Sequence, residues 1–241
     1  LKDSTLHVFQ RRTSRCRTYD INALSQGLVH MKNEIPLEGA DRFTASTDRY
    51  VTLGFYEQGI MSTFNDSGKV MECTDLFPDI SIDDISLRYK MFQGHLAYNE
   101  STGCLMYAPS FASHILFYKQ DGENNWIKQG AFRIGNGQLE NRMKERDRNA
   151  ELRNNDIRNC IDAYATTRYF YALYAGNDLK QTYVPDERYI LRFTSDGEFD
   201  RLYKVNPTVK SICVTEDDST IFALLTGKDQ EYAVAKGTLD N

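Results

Sequence analysis

The middle of the chain alternates short apolar runs with small polar turns. Residues 94–119 read GHLAYNESTGCLMYAPSFASHILFYK. GHLAYN, CLMYAP and HILFYK are strand-length runs, and ESTG and SFAS are the turns between them. After the Asp121-Gly122 turn, WIKQGAFRIG (126–135) is a fourth run. Runs of this length, rich in aromatic and branched residues and bounded by Gly, Asp and Ser, are strands. The spacing predicts an up-and-down antiparallel sheet of four.

The same design recurs along the chain. TLHVFQ (5–10) pairs with RCRTYDI (15–21) across RRTS, and residues 22–41 read as irregular, with Gly27, Pro36 and Gly39 as breakers. RFTAST (42–47), YVTLGF (50–55), IMSTFN (60–65) and VMECTD (70–75) make the next sheet. A linker, 76–92, carries Pro78, Asp79, Asp83 and Asp84. After the central sheet come CIDAYATT (160–167), YFYALYAG (169–176), YILRFT (189–194) and FDRLYKV (199–205), then SICVTE (211–216), TIFALLT (220–226) and EYAVAKG (231–237).

An aromatic four residues before a turn glycine marks the third strand of each unit: Phe64 before Gly68, Tyr118 before Gly122, Phe193 before Gly197. Phe9 fits without a glycine. The separations are 55, 54 and 75 residues. The long one contains a charged segment, GQLENRMKERDRNAELRNND (137–156), whose removal restores a period near that of propeller blades. A lone meander leaves two open edges and an uncovered face. Packing meanders face to face around an axis buries both faces. FYALY, CLMYA and TIFALL are apolar on both sides, as that packing needs. A two-sheet sandwich explains the strands but not the period. The expected fold is an all-β propeller of four-stranded blades in a single domain, 1–241. The strand count is two, four, four, four and three. Leu1 opens abruptly into what reads as a third strand, so strands preceding this sequence are expected.

Composition narrows the class. The 241 residues, 41% of them apolar, suffice for one large all-β domain. Fifteen Tyr and thirteen Phe suit pleated strands. A net charge of −5 gives no nucleic-acid signature. No apolar run approaches the length of a membrane helix. Cys16, Cys73, Cys104, Cys160 and Cys213 are odd in number and widely spaced, which argues against a zinc site and against a disulfide framework. Buried free thiols are expected.

The stretch QGHLAYNESTGCLMYAPSFASHILFYK resembles the repeats of the TolB-like six-bladed β-propeller family, known from secreted proteins and lipoproteins of Bacteroides-type bacteria. IDAYATTRYFYALYAG with YILRFTSDGEFDRLYKV is similar to that family's later blades, and SICVTEDDSTIFALLTG to its last. The resemblance implies a propeller, export or an envelope location in the periplasm or at the surface, and room for a lipid anchor upstream. It implies no catalytic residues and no cofactor.

GxSxG, Walker, dinucleotide, HExxH and EF-hand patterns are missing. His7, His30, His95 and His114 are scattered, as structural histidines are. In a propeller the first strand of each blade lines the channel. The entries to those strands carry Arg42, His95, Asp162 and Lys210, a candidate polar ring for a ligand at the channel mouth. The opposite ends offer Asn99, Thr167 and Glu216. Asn99, Asp162 and Glu216 are oxygen donors of the type calcium takes, and lactonase-type propeller hydrolases use such a set. Asp162, at the other end, weakens it, so no metal ligands are assigned. Asp79, Asp83 and Asp84 read as a solvated loop. Tyr107, Tyr118, Tyr169, Tyr171 and Tyr174 could stack on sugars but read as core. The 137–156 segment reads as a solvated helix, supported by Glu140 and Lys144 at i,i+4, or as a docking surface for an acidic or mixed-charge partner. The overall expectation is a module binding a protein or glycan; a metal-dependent hydrolase is the alternative.

Overall fold

The computed structural model describes residues 4–46, 48–123, 125–144, 152–153, 156–179, 187–227 and 231–239. Among these the chain forms five antiparallel sheets, distributed over two compact units, Leu1–Leu76 and Phe77–Asn241.

The first unit holds two sheets. Strands β1 (Thr5–Gln10), β2 (Arg15–Asp20) and β3 (Met31–Pro36) form one, in the order β1-β2-β3. A short helix, α1 (Ile21–Ser25), is capped by the Asp20 carboxylate, which accepts from the Asn22 and Ala23 amides. Strands β4 (Ala40–Ala45), β5 (Arg49–Gly54), β6 (Met61–Asn65) and β7 (Val70–Thr74) form the second sheet as a meander. Cys16, Ile35, Leu37, Tyr50 and Phe64 share one core, and Phe9 meets Phe43 with ring centres 5.3 Å apart. Each large apolar side chain buried this way contributes about 1.5–3 kcal/mol. Gly68 has φ +82°, and a Cβ there would lie 2.3 Å from the Pro36 carbonyl oxygen. The turn glycine of the repeat is therefore fixed by left-handed backbone and by contact with the preceding sheet.

Two expectations fail in this unit. Residues 22–41 are not irregular: they contain α1 and β3. β3 is an edge strand with Ile35 as its one buried residue and Pro36 at its end, so it lacks the alternation that marks a half-buried strand. Because β1 is the first strand of a three-stranded sheet, Phe9 does not occupy the third-strand position held by Phe64.

The second unit begins with α2 (Ile85–Phe92), whose N-cap Asp84 accepts from the Leu87 amide. Then come β8 (Gly94–Asn99), β9 (Cys104–Pro109), β10 (His114–Gln120) and β11 (Trp126–Arg133), a four-stranded meander. Helix α3 (Gln138–Lys144) leads to the next sheet, β12 (Ile157–Ala165), β13 (Tyr169–Asp178), β14 (Arg188–Thr194) and β15 (Phe199–Val205). The last sheet has β16 (Val209–Val214), β17 (Thr220–Thr226) and β18 (Tyr232–Thr238).

Faces alternate as the strand period requires. On β13, Phe170 and Ala172, with Phe193 of β14, face the preceding sheet, where they join Met106, Ile115 and Phe117. Tyr171 and Leu173 face the following sheet, where they join Ile212, Val214 and Ile221. This two-faced burial explains the near-continuous apolar runs. Gly197 repeats the Gly68 arrangement, with φ +84° and the Phe117 ring 2.6 Å from where a Cβ would stand. Gly122 does not: its φ is ordinary and nothing approaches it.

Among the described residues the sheets thus have three, four, four, four and three strands, where the sequence reading had two, four, four, four and three. The charged segment also differs from its reading. Its described helix covers 138–144, and residues 145–151 lie outside the described residues, including Arg146 and Arg148. α3 is packed rather than solvated, with Leu139 and Met143 buried. Glu140 reaches Ser113, and Arg142 holds Asp156 through two contacts of 2.8 and 2.6 Å. The apolar pair at i,i+4 and these two polar anchors outweigh the charge density of the segment.

Candidate functional site

In the second unit the first strands of the three sheets lie together, with β12 touching both β8 and β16. Asp162 sits in β12 at a register break. One of its oxygens accepts from the Ser211 hydroxyl at 2.5 Å and the Ile212 amide at 2.8 Å, both on β16. The other lies 4.0 Å from the His95 Nδ1 of β8. One carboxylate therefore spans three sheets. Its primary work is to fix the register of β12 against β16, and it leaves a partly exposed edge toward His95.

Lys210 stands one residue before Ser211 and is exposed. Its ammonium pKa is pushed down, first by burial of its surroundings and then by repulsion from Arg188 and Arg158. Arg188, at the start of β14, is only 6% exposed. Its Nη1 donates to the Val209 carbonyl, which anchors the guanidinium at the entry to β16. Burial and then Arg158 lower its pKa as well. Of the four residues of the candidate ring, His95, Asp162 and Lys210 belong to this unit. Arg42 belongs to the first, where it lies exposed on β4 with its Nε 3.8 Å from Asp41. Sequence reading missed Arg158 and Arg188. Arg158 follows a charged segment that hides it, and only packing shows that Arg188 is buried.

At the other ends of these strands a second polar cluster forms. Asn99 donates to the Thr167 carbonyl at 3.0 Å, and the Thr167 amide donates to Glu216 at 3.1 Å. Asn99 and Glu216 therefore meet at one turn. Asp162 lies at least three residues back along β12 from that turn, roughly 10 Å at the strand rise. The three oxygens considered for calcium do not converge. The centre of this cluster is Asp218, fully buried with φ +57°. It accepts from Thr166 Oγ1 (2.7 Å), Tyr171 Oη (2.8 Å) and Arg168 Nε (2.8 Å). Burial, and then Asp218, push the Tyr171 phenol pKa up. Asp218 was hidden in the turn sequence EDDST, where an aspartate ordinarily serves only the local turn. Asp217 does that, accepting from Thr215 and Ser219, which hold its carboxyl down at about 2.

A small recess of about 20 Å³ lies beneath α3, lined by Ser113, Glu140, Asp156 and Asn159 among others. That volume suits one water. Glu140 accepts from the Ser113 amide and hydroxyl at 2.5 and 2.6 Å. Ser113 Oγ also meets His114 Nδ1 at 2.8 Å. The serine is the middle member, so among the described residues the histidine has no carboxylate to orient it, and the trio lacks nucleophile–base order.

The remaining sequence candidates find structural places. Asp79, Asp83 and Asp84 are exposed, and Asp84 caps α2. Tyr107, Tyr118 and Tyr171 are buried, while Tyr169 and Tyr174 are half-buried. Cys16, Cys104 and Cys160 are buried, Cys73 is half-buried and Cys213 is exposed; none forms a disulfide. No group of three His, Cys, Asp or Glu side chains arranged for a metal occurs among the described residues. No helix among them is long and apolar enough to cross a membrane.

No protein-family model matches the chain, and no curated protein does. Solved structures do. A member of the DUF4221 family from Bacteroides vulgatus aligns with a TM-score of 0.59 and 10% identity, over 98% of this chain and 76% of that one. A protein from Lactobacillus plantarum gives 0.55 and 10%, over 98% and 72%. A candidate 6-phosphogluconolactonase from Bacteroides uniformis gives 0.54 and 12%, over 95% of this chain and 63% of that one. The chain therefore spans less than two thirds of the last protein. With the five sheets described above, these likenesses show the fold: an all-β propeller of small antiparallel blades.

Proposed function

We propose that this propeller is a binding module, exported or held at the cell envelope, that takes a protein or glycan ligand at the entry ends of its first strands. The observation that carries this reading is the approach of His95 and Asp162, 4.0 Å apart across neighbouring first strands, with Asp162 fixed by two hydrogen bonds and Lys210 exposed beside one of its partners, Ser211. A rigid scaffold presenting a few polar groups beside a strand end is a common form of ligand site. The envelope location, the lipid anchor and the TolB-like, six-bladed relationship belong to the same proposal. The Bacteroides origin of two structural neighbours supports it. A glycan array probed with the wild-type protein and with His95→Ala tests the site. The expected result is a bound glycan lost in the variant, and retention of every hit by His95→Ala would remove the site from this end.

The description of the Bacteroides uniformis neighbour favours a second reading, a hydrolase acting on a lactone at the same end. It predicts lactone turnover and a rise in melting temperature with calcium over EDTA. A ligand at 100 times its dissociation constant adds roughly 2.7 kcal/mol to the folded state. A melt unmoved by calcium, together with no turnover, would dismiss it.

A further inference from the structure

We infer that Arg158, Arg188 and Lys210 form an oxyanion site, which takes a phosphate or carboxylate group of the ligand at the entry to β16. The inference rests on the reading of that end as the binding site and names the chemistry it selects. Three observations support it. Arg188 is nearly fully buried, yet among the described residues it has no acidic partner; its guanidinium donates to the Val209 carbonyl, and its Nε has no partner there. Arg158 lies four residues before Asp162 on β12, and Lys210 two before Ile212 on β16. The Asp162–Ile212 hydrogen bond therefore brings both basic side chains to the same end of adjacent strands. Both are exposed, and among the described residues neither forms an ion pair. Finally, burial first, and then repulsion from the neighbouring cations, lowers the pKa values of Arg188 and Lys210.

A buried, uncompensated cation is costly. Here two more cations stand beside it, while the nearby carboxylate of Asp162 is engaged by Ser211 and Ile212. An oxyanion would relieve the repulsion. The anchored Arg188 supplies fixed positive charge from beneath, and the two flexible exposed side chains supply charge-assisted hydrogen bonds from above. No conformational change in the sheets is needed.

The test is isothermal titration of the full chain with inorganic phosphate, and separately with citrate, each against chloride at matched ionic strength. Phosphate or citrate should bind in preference to chloride, and the better of the two identifies the group. Arg158→Ala and Lys210→Ala, both at exposed positions, should each weaken binding about tenfold, the loss of one charged hydrogen bond. Lys236→Ala, on the exposed face of β18, should change nothing. Binding no better than chloride, or equal loss in Lys236→Ala, overturns the site. If the oxyanions fail while an array glycan still binds and is lost in His95→Ala, this inference falls and the module reading stands. If the oxyanions bind through Lys210 and the array gives nothing, the anion site stands and the glycan reading falls.

Discussion

The two seams of the second unit are built differently. Between β8–β11 and β12–β15 the contact is aromatic. Phe117 and Phe193 lie 5.2 Å apart, Phe132 and Phe193 5.1 Å, and Phe117 and Phe170 6.0 Å. The hydrogen bonds across it come from neutral groups, among them Asn99 to Thr167 and Asn159 to the carbonyls of Phe111 and Ala112, while the Asp162 carboxylate only approaches His95 at 4.0 Å. Between β12–β15 and β16–β18 the core is mostly aliphatic, and the polar links are carboxylates, Asp162 at one end and Asp218 at the other. The last sheet has three strands and an exposed outer strand, so it has less apolar area with which to hold its position. Directional, charge-assisted hydrogen bonds make up part of that deficit. The first seam is held by area, which is tolerant of small shifts. The second depends on two side chains, whose removal leaves buried partners unsatisfied.

The largest effect should come from the aromatic seam. Phe193→Ala removes a fully buried ring that meets three others, and should cost about 3–5 kcal/mol in chemical denaturation. A smaller loss than Asp218→Ala would reverse the ranking of the seams. Asp218→Ala should cost about 3 kcal/mol, because it strands the Tyr171 hydroxyl and Thr166 while Arg168, half exposed, can turn to water. If the cost were only a few tenths of a kcal/mol, the clasp would be ornamental. Gly197→Ala, with positive φ and Phe117 against the new methyl, should cost about 1–3 kcal/mol. Gly122→Ala, in the equivalent turn with open space, should be close to neutral, and a similar loss at both sites would remove the contact as the cause. Asp162→Asn should cost about 1 kcal/mol, since the amide keeps one acceptor for Ile212 or Ser211.

The thiols offer the gentlest probe. Burial raises the pKa of Cys16 to about 11 and that of Cys160 further. A raised thiol pKa keeps the unreactive protonated form at pH 8. Cys213, exposed on the last sheet, should label at once with a thiol reagent, while Cys160, in the aromatic seam, should label only after unfolding. Fast labelling of Cys160 would show that the seam opens.

The strands were legible where packing on both faces leaves a continuous apolar run, as in CLMYAP, YFYALYAG and YILRFT. The repeat was legible through Phe64, Tyr118 and Phe193. β3 was not, since an edge strand with one buried residue writes almost nothing into sequence. α3 was misread as solvated because Leu139 and Met143 are outnumbered by charges. Of the proposed ring, His95 and Lys210 stand at the second positions of β8 and β16, as strand spacing suggested, whereas Asp162 lies inside β12, which begins at Ile157, and its partners some fifty residues away could not be read locally.

The sequence by itself determined the class of elements, their order and the places where the chain turns, because these follow from the strand period and from residues such as Gly68 and Gly197 that sterics confine. Only the tertiary structure decided which polar residues are paired. Asp218 became a clasp, Asp162 a register pin, and Arg188 a buried charge without an acid among the described residues, because each depends on what a distant strand places within about 3 Å, the reach of a hydrogen bond.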